Sequence, residues 1–468
     1  MVFTELRFFW FFAIVLTVYW LLVSNHRRKQ WLLLCSYYFY GSWNPWFLSL
    51  LFLSTFIDFF AGLKLSQTDS PRARHFWIVT SMSANLGILA FFKYFNFFIE
   101  SAVTFSSWMG IPFHAGTLSI ILPVGISFYT FQSMSYTIDV YRDKRNVVHS
   151  FLDFALYVSF FPQLVAGPIV RASIFLPQLD SARRWSQVHV RDCLTLFLIG
   201  FFKKACVSDN LAPVVDYVFD DPTRCDWLSN WIGLLFYTTQ IYCDFSGYTD
   251  MAIASSRLMG YELQMNFNFP YFATDVTEFW RRWHMSLSTW LRDYLYIPLG
   301  GNRRGPIMAY RNLLVTMLLG GLWHGAAWHF VLWGGIHGSA LVAHREWTRR
   351  TPARFRESWG WNLVCFAGTF YFINLTWVVF RAEDLNRALS MLRAVCLFDS
   401  PGPRMVDARA LLVMPPLIAA HYLARRRTLA GTWERFPDYA FAAIYGVLWA
   451  IALLFTPLNA KPFIYFQF

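Results

Sequence analysis

Glu278-Phe-Trp-Arg-Arg-Trp-His284-Met-Ser-Leu-Ser-Thr-Trp-Leu-Arg292-Asp293-Tyr-Leu-Tyr-Ile-Pro-Leu-Gly300-Gly-Asn-Arg-Arg-Gly305 is a basic, aromatic and amphipathic stretch. It runs on into an apolar segment, from Leu313, that carries Gly320-Gly-Leu-Trp-His324-Gly-Ala-Ala-Trp-His329 and Gly334-Gly-Ile-His337-Gly338. A membrane segment has no structural need of an ionisable side chain, so a histidine within one is a functional-site hypothesis by default.

The rest of the chain supports a membrane setting. Of 468 residues, 56% are hydrophobic, 20% aromatic and only 15% charged, and the mean hydropathy is +0.36. Soluble domains carry roughly 25% charged residues. Long apolar runs recur from end to end, which predicts an all-α polytopic membrane protein using residues 1–468 as one domain. A net charge of +12 would suggest nucleic acid in a soluble protein. Here Lys and Arg cluster between apolar runs, as in cytoplasmic loops, so no nucleic-acid partner is expected. The seven cysteines are scattered singly, with no CxxC, which argues against a disulfide framework or a zinc site.

Phe8–Val23 reads as a retained first span rather than a signal peptide, because it lacks a basic n-region and a cleavage site. His26-Arg-Arg-Lys29 follows, so that end is expected in the cytoplasm. Further segments are expected at 31–40, 46–63, 76–99 and 120–138, with basic loops alternating correctly. Phe151–Pro168 contains Pro162 and Ala166-Gly-Pro168, which suits a broken or re-entrant segment. Cys193–Phe202 ends in Lys203-Lys204 and could span or dip. Trp231–Met259, Leu313–His344, 361–380, 410–423 and 441–455 complete about a dozen segments. Basic runs lie at Arg345–Arg356 and Arg425-Arg-Arg427. Arg381–Arg409 fits poorly, because parity puts it outside although it holds five arginines.

His324 is the leading chemical candidate. A straight helix from Arg311 would carry it about 20 Å in, near mid-bilayer. A neutral imidazole there could take a proton from a hydroxyl as general base, or it could simply be hydrogen-bonded inside a bundle. His284, with Arg281, Arg282 and Arg292, could be catalytic or could face phosphate headgroups. His329 lies five positions from His324, roughly 140° round one helix, which is poor for a shared metal site. No H-E-x-x-H pair occurs, so metal catalysis is rejected. Asp244 and Asp250 read as buried hydrogen-bonding partners or pore-lining groups rather than bases. Gly300-Gly-Asn-Arg303-Arg-Gly305 could hold the phosphates of a coenzyme A, though it lacks the Walker Lys-Ser/Thr, and a tight turn is the plainer account.

Three sets of residues then resemble the membrane-bound O-acyltransferase family: Glu278–His284, Trp290–Arg303 and Leu319–Ala326. Leu122-Pro-Val-Gly-Ile-Ser-Phe-Tyr129, Phe161–Pro168 and Tyr242-Cys-Asp-Phe-Ser-Gly-Tyr-Thr-Asp250 are similar to its bacterial exopolysaccharide branch, which includes alginate and cellulose acetylation subunits. The core motifs lie in 120–345, and the match weakens after Arg381. The resemblance implies a ring of tilted helices around a tunnel. It places the family's near-invariant histidine at His324 and its variable polar position at His284. It implies movement of an acetyl group from cytoplasmic acetyl-CoA, as substrate and not bound cofactor, across the bacterial inner membrane. A periplasmic acetyltransferase and the polysaccharide export machinery are the implied partners. Arg281, Arg282 and Arg303 are expected to meet donor phosphates, with Asp244, Asp250 and Asp293 as supporting polar groups. A transporter or channel is the competing class, and D-alanyl or lipid acyl transfer is the alternative within acyl transfer.

Overall fold

Helices account for most of the chain in the computed structural model, and no strand occurs among the described residues. These are residues 1–468 except 112, 114, 166, 352–357, 427–432, 459–461 and 465–468, and except the side chain of 434. Ala166, Arg354, Arg356 and Arg427 of the expected motifs and basic runs therefore lie outside the described residues. The chain divides into two compact units, 1–189 with 252–264, and 190–251 with 265–468.

The first unit opens with α1 (Leu6–Leu21), α2 (Asn25–Gly41) and α3 (Phe47–Gln67). Pro71 opens α4 (Pro71–Leu89), where its missing N–H costs nothing. A π turn at Ala90–Tyr94 joins α4 to α5 (Phe95–Trp108), so the helix expected to end near residue 99 continues nine residues further. Gly125, at φ +75°, starts α6 (Ile126–Arg142). The expected break falls after α7 (Phe151–Ser159), before the short α8 (Phe161–Leu164) and α9 (Ala172–Phe175). Helices α3, α4 and α6 pack on one another around a fully buried carboxylate. Asn85 donates to both oxygens of Asp58 at 2.9 Å, and Ser54 donates to Asn85 at 2.7 Å.

The second unit starts with α10 (Val190–Phe201), a π turn at Phe202–Ser208, and α11 (Asp209–Asp220). The chain does not end a segment at Lys203-Lys204, as charge alone suggested; it runs on helically through both lysines. Helix α12 (Trp227–Leu258) follows, in this unit up to Met251, then the short α13 (Val276–Arg282) and α14 (Met285–Leu291). The apolar run Leu313–His344 is two helices, α15 (Pro306–His324) and α16 (Trp328–Arg350), with an extended break at Gly325–Ala327. They pack closely against each other because glycines face the contact. A Cβ at Gly321 would lie 2.2 Å from the Phe330 carbonyl, and one at Gly325 would lie 2.0 Å from the Phe330 ring. The 140° separation expected between His324 and His329 therefore does not hold, since they sit on different helices. Helices α17 (Trp359–Arg381), α18 (Leu385–Leu397), α19 (Met414–Arg426) and α20 (Asp438–Leu454) complete the unit.

Three of these elements are long and apolar enough to cross a bilayer: Phe47–Gln67, Pro71–Trp108 and Trp359–Arg381. Crossing about 30 Å takes about 20 helical residues. Several expected spans are shorter; α1 has 16 residues and α10 has 12.

Candidate active site

The site is built from a turn, a helix end and a ring of aromatic side chains, all in the second unit. Asp275 caps α13 by accepting from the Glu278 N–H at 2.7 Å, and Glu278 reaches back to the Thr274 N–H at 2.7 Å. This reciprocal cap starts the helix firmly. The carboxyl group of Glu278 is pushed up by burial, but Thr274 and the Arg282 guanidinium outweigh this and hold it below its ordinary value.

One turn later His284 adopts the left-handed conformation, φ 43° and ψ 53°, between α13 and α14. A non-glycine residue held there is strained, and such strain gathers at functional sites. Asn266 anchors the turn. Its Oδ1 accepts from the Ser286 N–H at 3.1 Å and the Ser286 hydroxyl at 2.9 Å, and lies 3.1 Å from His284 Nδ1. The backbone donor fixes which amide atom of Asn266 is the oxygen. An oxygen can only accept, so His284 Nδ1 carries the hydrogen and Nε2 carries the basic lone pair.

His324 is the last residue of α15. Both histidines are buried, at 0% and 3% exposure, and their ring centroids lie 6.3 Å apart. Trp323 packs on both, 5.8 Å from His284 and 5.1 Å from His324. Phe245 from α12 closes on His284 at 4.7 Å, while Trp333 and Phe380 close on His324 at 5.2 and 5.3 Å. Two imidazoles buried among aromatic rings can carry a proton between hydroxyl and leaving group. His337 has a different setting: Trp280 Nε1 donates to its Nδ1 at 3.3 Å and Thr376 lies 3.1 Å from its Nε2, so both nitrogens serve packing. No cluster of metal-ligating side chains occurs among the described residues.

Beside this chamber lies a cavity of about 1300 Å³, walled by parts of α13 to α17. Its wall includes Met285, next in the chain to His284, and Trp280, the donor to His337. Arg281, Arg292, His344, Arg345 and Arg349 also line it. Arg281 has no counter-ion among the described residues, and Arg345 donates to Asn302 at 2.7 Å. The other expected residues are placed differently. Arg282 forks onto Glu278 at 2.7 and 3.0 Å and donates to the Asn268 carbonyl. Arg303 is exposed and off the cavity wall. Asp293 pairs with Arg292 at 2.6 Å. Asp244 lies 2.6 Å from Lys204, and Asp250 lies 2.7 Å from Lys203. Sequence reasoning missed Asn266, His344, Arg345 and Trp333. Only Arg345 carried a signal, inside a basic run read as a loop.

An all-helical membrane protein with two buried, facing histidines beside an arginine-lined cavity has the parts of a group-transfer enzyme. Residues 32–380 match the description "MBOAT, membrane-bound O-acyltransferase family". The chain is 43% identical over 398 residues to a probable alginate O-acetylase of Pseudomonas putida, covering 83% of this chain and 79% of the relative. It is 40% identical over 393 residues to a peptidoglycan O-acetyltransferase of Helicobacter pylori, covering 78% and 73%. It is 30% identical over 256 residues to a teichoic acid D-alanyltransferase of Streptococcus thermophilus, covering 50% and 60%. The protein belongs to the membrane-bound O-acyltransferase family and is an acyltransferase.

Proposed function

We propose that the protein moves acetyl groups from cytoplasmic acetyl-CoA, across the bacterial inner membrane, for O-acetylation of a secreted polysaccharide such as alginate or cellulose. The observation that carries this reading is the His284–His324 pair, 6.3 Å apart and buried, in a chain whose relatives include an alginate O-acetylase and a peptidoglycan O-acetyltransferase. His324 is the general base or acyl relay, and His284 orients the donor. As base, His324 takes the proton of an attacking hydroxyl as the oxygen bonds to the acyl carbon. The carbon–sulfur bond then breaks, and the thiolate takes that proton back. Arg281, with Arg345 across the same cavity, would meet the donor's phosphates. Arg282 supports α13 through Glu278. A periplasmic acetyltransferase and the polysaccharide machinery would receive the group.

Replacing His324 by Ala should abolish ester groups on the cell's glycans, measured by mass spectrometry, while the protein stays in the membrane at normal levels. Normal acetylation in that strain sinks the proposal. The D-alanyltransferase relative supports a second reading, D-alanyl transfer, which the same spectra separate by the mass of the ester lost.

A further inference from the structure

We infer that the indole N–H of Trp333 is the donor that takes up the negative charge forming on the acyl carbonyl oxygen during transfer; this rests on the acyl-transfer reading above. Trp333 is 1% exposed and lies in the second turn of α16. Its ring stands nearly perpendicular to that of His324, at 87° and 5.2 Å. Its Nε1 finds no acceptor among the described residues. Buried donors are almost always paired, so one left over beside a reacting group calls for a functional account.

The surroundings narrow that account. Five rings enclose Trp333: His324, His337 at 4.7 Å, Trp280 at 5.7 Å, Trp377 at 6.0 Å and Phe380 at 5.1 Å. Phe380 and the two indoles offer no lone pair. His337 has none to spare either. Its Nδ1 already accepts from Trp280, so its Nε2 carries the hydrogen and faces Thr376. The remaining ring against Trp333 is that of His324, the base that the acyl group must reach.

The step balances. The acceptor's hydroxyl oxygen bonds to the carbonyl carbon of a thioester donor, and its proton passes to His324. The carbonyl electron pair moves onto oxygen, which accepts a hydrogen bond from Trp333. The pair returns, the carbon–sulfur bond breaks, and the thiolate takes the proton from His324. A donor fixed in place before the charge appears, in a site walled by aromatic rings, is the arrangement that stabilises such an oxyanion most.

Trp333→Phe keeps an aromatic ring and removes the donor. We expect it to lower the maximal rate of transfer from radiolabelled acetyl-CoA in membrane vesicles about 10²–10³-fold. The half-saturating acetyl-CoA concentration should stay unchanged, and glycan ester content in cells should fall in parallel. A near wild-type rate, or a loss confined to half-saturation, overturns the assignment. Should Trp333→Phe fail to fold, β-(3-benzothienyl)alanine at position 333 supplies the same shape with sulfur in place of N–H, and full glycan acetylation with it also overturns the assignment. His324→Gln in parallel separates the two failures: an active His324 variant removes His324 as the base and with it the site assigned in the reading above, whereas an inactive one beside an active Trp333 variant removes only this inference.

Discussion

Two buried polar centres sit in the same unit and follow opposite rules. Around Lys204, charge is cancelled by charge. Its ammonium lies 2.7 Å from Asp209 and 2.6 Å from Asp244, and all three side chains are 5% exposed or less. The other oxygen of Asp244 accepts from the Ile464 N–H at 2.7 Å. Next to it, Lys203 holds Asp250 and Ser246 at 2.7 and 2.9 Å. Around His324 the packing is by rings, three aromatic side chains and a second imidazole. The first centre is closed, every ion answered within the protein. The second is packed by rings and awaits a substrate. Asp244 and Asp250, where a transport reading would place function, are each paired with a lysine.

The comparison breaks most visibly in activity. His324→Gln should cost about 10²–10⁴-fold in transfer, the usual span for a proton-transfer group, with little change in thermal midpoint in detergent. A large fall in that midpoint would make His324 part of the scaffold and erase the contrast. Lys204→Met should do the reverse. It strands two carboxylates in the interior, and removing one partner of a buried pair costs about 3–5 kcal/mol. Unchanged melting in that variant would show that the centre is not closed by charge. Restored melting in Lys204→Met combined with Asp209→Asn would sharpen the point.

The two centres were unequally legible in the sequence. His324 and His284 stood out because ionisable residues are rare in apolar and interfacial stretches, and long motifs surround them. Asp244 and Asp250 stood out for the same reason, but their partners did not. Lys203-Lys204 looked like the end of a segment, because charge between apolar runs is ordinarily a boundary. Their answering carboxylates on α12 are 40 and 47 residues away, and no periodicity links them. The same blindness explains the arginines after 380. Arg381 meets Asp216 at 2.9 Å and Arg404 meets Asp226 at 3.0 Å. Counter-ions travel with them, so their number carries little information about sidedness. The break after His324 was hidden by an apolar run of helical length; the extended backbone at Gly325–Ala327 reveals it, and the close contacts at Gly321 and Gly325 hold the two helices together. Asn266 was illegible for a plainer reason: a lone amide 18 positions before His284 has no pattern.

That amide makes the intermediate test. Asn266→Leu removes the acceptor for Ser286 N–H and hydroxyl together and frees His284 to turn. The cost in stability should be about 1–3 kcal/mol, the ordinary price of stranding buried donors. Transfer should fall further than the stability loss explains, and Asn266→Asp, which keeps the oxygen, should recover part of it. Equal loss in both variants would mean that the residue fills space and does not orient the ring.

The smallest effect tests the charge rule at its margin. Asp226 lies in the loop before α12; burial pushes its carboxyl up, but the Ser229 hydroxyl and N–H and the Arg404 guanidinium hold it below its ordinary 3.8. Arg404 is more than half exposed, so Arg404→Gln should cost under about 1 kcal/mol. The sign follows from linkage. A carboxyl whose folded value is lowered contributes stability above its unfolded value, and loses it as pH falls through the folded one. The native and Arg404→Gln proteins should therefore differ in melting at neutral pH and converge as pH falls below 3.8. They should also converge in high salt at neutral pH, because an exposed pair is screened. The Lys204 centre, shielded from solvent, should show no such salt dependence, and a difference there that salt erases would mean that water reaches it.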